Sequence, residues 1–144
     1  MHKLIPDTEN PLVLRTDFSD DAAWKAICAE IRKPVGIFRF LAYVDFLDDR
    51  AYAGASVGEV RALLLPNYSH SFIFVVDERA VVEPEHPVLV VGLYKGAEDE
   101  FHAIPTQIQS IENNLSLANM DFDESAGAVE ADGVFRGFPG DPYR

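Results

Sequence analysis

Three short stretches set a Phe beside an Asp with more acid close behind: Asp17–Asp21 (DFSDD), Asp45–Asp49 (DFLDD) and Asp121–Ser125 (DFDES). Grouped carboxylates hold hard cations such as Mg²⁺, which take oxygen ligands. A bound cation can then activate water for hydrolysis. Asp77, which follows the apolar run FIFVV, is a further carboxylate at a strand end. Asn113 and Asn114 offer another chemistry, because an amide both donates and accepts hydrogen bonds. The candidate ligand-binding residues are therefore Asp17, Asp45, Asp48, Asp49, Asp77, Asn113 and Asn114. Plainer roles compete with these. Asp20 and Asp21 stand where a helix start favours negative charge. Asp121 suits a cap, and asparagines build turns. Only Asp17 and the Asp45–Asp49 group lack an obvious helix to begin.

Little else in the chain carries a catalytic signature. His2, His70, His86 and His102 show none of the close spacings of zinc sites, and neither a P-loop nor a dinucleotide fingerprint is present. No Gly-x-Ser-x-Gly elbow occurs, and the adjacency of Ser69, His70 and Ser71 is not triad geometry. Cys28 falls beside Trp24 on an apolar stripe and reads as a small buried hydrophobe. No catalytic residue, metal or cofactor is assigned.

The elements that position these residues follow from periodicity. Leu12–Thr16 reads as a strand. Trp24, Ile27, Cys28 and Ile31 lie at i, i+3, i+4, i+7, which predicts a helix with Ser19 as its cap and Lys33-Pro34 as its stop. Residues 41–49 alternate imperfectly, as an edge strand does. Ser56 and Glu59 form a capping box ahead of Val60, Leu63 and Leu64. SFIFVVDE and PVLVVGLY are continuous apolar runs, which predicts two central strands. The eight residues 79–86 between them are short for a parallel crossover, which favours an antiparallel pair, a tight crossover being the other option. KGAED predicts a hairpin turn into the edge strand EFHAIP. Residues 106–120 suit a helix through Ile108, Ile111 and Leu115, or a strand through Leu115 and Leu117. A last helix is expected from Asp121 to a stop at Asp132-Gly133, with Phe122, Ala126 and Val129 on its inner face.

The fold class is thus α/β, with α+β open: one mixed five-stranded β-sheet in the order β-α-β-α-β-β-β-α, helices packed on the sheet. If its first three strands are parallel, Asp17, the Asp45–Asp49 group and Asp77 share the carboxyl ends, where open α/β sheets bind ligands.

At 144 residues and 48% apolar composition, residues 1–144 make a single domain with a real core, and mobile ends are expected at 1–10 and 139–144. A net charge of −12 without a basic cluster argues against nucleic acid and against anionic membranes. It favours a basic protein surface or a small ligand as partner, with the chain a monomer or weak homodimer. One cysteine and no secretory pattern lead to the expectation of a cytoplasmic protein.

The stretches PLVLRTDFSDDAAW, HSFIFVVD, PEHPVLVVGLY, IENNLSLANMDF and DGVFRGF together resemble an uncharacterised domain family of actinobacterial and some fungal proteins. The resemblance runs from about Leu12 to Phe138. The family pattern has Phe where this chain has Ser125, which bears on the packing of the last helix. It implies no activity and transfers no catalytic residue. The function expected is a non-catalytic binding, interaction or regulatory module, with a Mg²⁺- or Mn²⁺-dependent hydrolase as the alternative.

Overall fold

The computed structural model describes residues 2–93, 99–117 and 122–140. Its centre is built by three strands, Leu12–Arg15 (β1), Phe72–Val76 (β3) and Val88–Gly92 (β4), buried along their whole length. Strand side chains alternate between faces, so these runs feed two cores. Val13, Phe72, Phe74, Val76, Val88 and Val90 face one side, against Trp24, Ile27 and Ile31 of helix Asp21–Arg32 (α1). Leu12, Leu14, Ile73, Val75, Leu89 and Val91 face the other, against Ile5, Tyr52 and Val60. Val60 belongs to helix Val57–Ala62 (α2), which begins with the Ser56/Glu59 capping box.

Three further strands complete the sheet: Asp45–Leu47 (β2), Glu100–Ala103 (β5) and Val134–Phe135 (β6). The order is β2-β1-β3-β4-β5-β6. β2, β1 and β3 run parallel, β4 is antiparallel to β3, and β5 is antiparallel to β4. The α/β architecture and the antiparallel central pair are as expected, and β2 is an edge.

Several expectations are corrected. The sheet has six strands, not five: β6 pairs in parallel with β5, which is therefore not an edge. Asp132-Gly133 does not stop a long helix. The helix there is the short Phe122–Ala126 (α5), and Gly133, at φ 80°, turns the chain into β6. Between β3 and β4 lies an unforeseen helix, Glu78–Val82 (α3), begun by Asp77. Residues 108–116 resolve as a helix (α4), so Leu115 is helical. α1 is capped by Asp20, not by Ser19: the Asp20 carboxylate accepts from the Ala23 amide at 3.0 Å. Asp121, Asn119 and most of the KGAED turn fall outside the described residues. Ser125 is buried, so what stands there does touch the packing of α5.

Ahead of β1, Ile5 is fully buried, its amide donates to Leu63 O at 2.9 Å, and the Tyr52 hydroxyl donates to Leu4 O at 2.8 Å. Phe135 is fully buried at the other end of the chain and stacks edge-on with Phe138.

Candidate functional site

The candidate carboxylates Asp17, Asp45, Asp48, Asp49 and Asp77 each have a partner within the fold. Asp17 accepts from the Ser19 amide at 2.9 Å and its hydroxyl at 2.5 Å, an Asx-type turn after β1. Asp45 accepts from the Asn10 amide at 3.1 Å. Asp48 accepts from Arg15 at 3.2 Å. Asp49 caps the 3-10 turn Arg50–Tyr52 and pairs with Lys3 at 2.5 Å. The Lys3 hydrogen bond, and then the Ala51 amide, hold the Asp49 carboxyl below its ordinary pKa. Asp77 caps α3 through the Ala80 amide and accepts from His102 Nε2 at 2.9 Å. Among the described residues no group of three or more His, Cys, Asp or Glu is arranged to hold a metal ion.

Sequence reasoning missed Arg15, the last residue of β1. Its side chain is 4% exposed and donates to Asp21 at 2.6 Å, Asp48 at 3.2 Å and Asp17 O at 3.2 Å. The guanidinium lies 4.3 Å from the Phe18 ring centroid and 5.3 Å from that of Trp24, within cation–π range. Arg15 thus joins β1, the start of α1 and the end of β2, and it depresses the Asp21 pKa by hydrogen bonding and by its charge.

Also missed was the segment between α1 and β2. Val35 and Phe40 exchange both backbone hydrogen bonds at 2.9 Å, and the Arg39 amide closes the turn on Gly36 O at 3.1 Å. Two residues of this hairpin are left-handed, Gly36 at φ 75° and Arg39 at φ 54°, and glycine takes the first without steric cost. Turn tips favour Gly, Pro, Asn, Asp and Ser, yet Ile37 and Phe38 occupy this one. Their exposures are 81% and 72%, and Tyr43 follows at 60%; Phe40 and Leu41 are also exposed. No acidic residue occurs in 31–44, whereas Arg32, Lys33 and Arg39 do. That local charge, together with apolar residues where a turn wants polar ones, was the available signal.

Two side chains of α4 hold this segment. Glu112, 3% exposed, accepts from the Tyr43 amide at 2.7 Å, and Asn113 donates to Leu41 O at 2.9 Å. Asn113, chosen as a ligand-facing amide, thus reaches the apolar segment. Asn114 Nδ2 lies 3.4 Å from Ser110 Oγ on the same helix. Glu112 also lines a cavity of about 360 Å³ with Glu9, Asn10, Ser69, His70 and Ser71.

Cys28 is buried, and burial pushes its pKa up to about 11. The thiolate is the reactive form. A disulfide reagent at pH 8 is therefore expected to leave the native protein unlabelled and to react fully once it is denatured. Labelling of the native chain on mixing would contradict the buried assignment.

Comparison with curated proteins finds no match. A domain of unknown function (DUF6924) matches residues 10–138, which span β1 to β6 and include Arg15, the apolar hairpin and α4. That match takes in every strand of the sheet, and the chain belongs to the DUF6924 family.

Proposed function

We propose that this protein is a non-catalytic interaction module that docks through the apolar hairpin of residues 35–43. Its partner is a protein surface with an apolar centre and an acidic rim. One observation carries the reading: large apolar side chains crowd the tip of a hairpin whose following residues are held by a hydrogen bond to a buried carboxylate and one from a side-chain amide. Sealing Ile37 and Phe38 in an interface would contribute about 3–6 kcal/mol before the costs of association.

The net charge alone pointed to a basic partner. Locally the balance differs: residues 31–44 carry Arg32, Lys33 and Arg39 and no acid, and with Lys33 paired to Glu30 at 2.8 Å the hairpin itself presents Arg39. At physiological salt, charges farther apart than about 8 Å are largely screened. The rim of the contact, rather than the whole-molecule charge, then sets which surface fits.

Photoreactive benzoylphenylalanine placed at Phe38 tests this in the cells that make the protein. The same label at Val82, 69% exposed on α3, is the control. A discrete adduct is expected from position 38 and not from 82, and Arg39→Glu is expected to abolish it. Phe38→Ser should shift stability by no more than about 0.5 kcal/mol, as exposed substitutions do. No adduct, or equal adducts from both positions, would remove the proposal.

A further inference from the structure

At the carboxyl ends of β1 and β2 lies a cavity of about 310 Å³, at the small end of small-molecule pockets. Arg15, Phe18, Asp21, Trp24, Lys25, Asp48 and Arg50 line it. Its charge is unlike that of the chain. Arg15 is matched against Asp21 and Asp48. Among the described residues, Lys25 and Arg50 make no ion pair within 4 Å and no side-chain hydrogen bond. Three cations against two carboxylates leave the lining positive in a protein of net charge −12. Its wall is aromatic as well: the Phe18 centroid lies 4.3 Å from the Arg15 guanidinium and 5.3 Å from that of Arg50, and the Trp24 centroid lies 5.3 Å from that of Arg15.

We infer that this cavity binds a small, flat carboxylate. Lys25 and Arg50 would take the anionic group, and their donors suit oxygen acceptors. Phe18 and the guanidinium planes would take the flat face, because guanidinium stacks on planar π-systems. Arg15, buried and hydrogen-bonded to Asp21 and Asp48, fixes the floor, so little order has to be created there on binding. The position agrees with the general preference for ligands at the carboxyl ends of parallel strands. This site is separate in chemistry from the docking hairpin and does not depend on it.

Trp24 is the chain's one tryptophan and lines this cavity, so its fluorescence offers a single reporter at the site. Benzoate is the probe, titrated at low ionic strength up to about 10 mM, where a site of ~1 mM affinity would be nearly full. Saturable change in the Trp24 emission is expected, with acetate and inorganic phosphate at least tenfold weaker. Lys25→Glu combined with Arg50→Glu is expected to weaken benzoate at least tenfold while circular dichroism and the melting temperature stay those of a folded protein. Absence of saturation overturns the inference, as does benzoate binding unchanged by the double substitution. Phosphate or acetate binding as tightly as benzoate would also overturn it. If the double variant does not fold, Arg50→Gln alone must weaken benzoate, and failure to do so has the same force.

Discussion

Glu112→Ala is expected to lower stability by about 2–3 kcal/mol, the cost of losing charge-assisted hydrogen bonds at a buried carboxylate. Glu112 is 3% exposed and its Oε1 accepts from both the Tyr43 amide and the Asn113 side chain. Alanine leaves the Tyr43 amide without its acceptor, while Asn113 keeps Leu41 O, and leaves a gap where the side chain packed. Part of the loss is offset, because a buried charge no longer has to be kept from water. Glu112→Gln should cost only about 1 kcal/mol, since its amide oxygen can still accept from Tyr43. Urea denaturation gives both figures. A second measurement separates a latch from mere packing. Hydrogen exchange of the Tyr43 amide should accelerate in the alanine variant and stay slow in the glutamine variant. Crosslinking from position 38 should fall with it, although Phe38 itself is untouched. Unchanged stability in Glu112→Ala would mean that the segment is held some other way.

The contrast between legible and hidden features follows how far apart the interacting residues lie. β3 and β4 were legible because both faces of each strand are buried, so nearly every side chain had to be apolar. The α2 capping box was legible because its partners are three residues apart. α3 and β6 were hidden because they are too short to show a period, at five and two residues. Asp77 looked like a free carboxylate for the same reason: the helix it caps gave no sign of itself. The candidate sites were harder still. Arg15 meets Asp48 across 33 residues, and Glu112 meets Tyr43 across 69. Nothing in either local sequence announces such pairings. The hairpin at 35–43 is different. Its turn, its apolar tip and its lack of acid are all local, and it was readable from residues 31–44.

Arg15→Met is expected to cost about 2 kcal/mol at neutral pH, from the loss of three hydrogen bonds and the stacking on Phe18 and Trp24. Removing one member of a fully buried ion pair typically costs more, about 3–5 kcal/mol, because the orphaned charge stays out of water. Here the orphans are Asp21 and Asp48, whose side chains are 66% and 49% exposed, so they rehydrate. Methionine also keeps most of the apolar volume of the arginine stem. Lysine should rescue little of the loss, because its ammonium lacks the planar fork that reaches Asp21, Asp48 and Asp17 O together. The acid side adds an independent check. Arg15 depresses the Asp21 pKa, first through its hydrogen bond and then through its charge. That stabilisation is fully present above the unfolded carboxylate pKa, near 4, and is lost as pH falls through the lower folded value. The gap between wild type and Arg15→Met should therefore narrow as the solution is taken below about pH 4. In the variant, nuclear magnetic resonance titration of Asp21 should return its pKa toward the ordinary range. If the gap widens in acid, or Asp21 titrates identically in both proteins, the pairing drawn at the carboxyl end of β1 does not hold in solution.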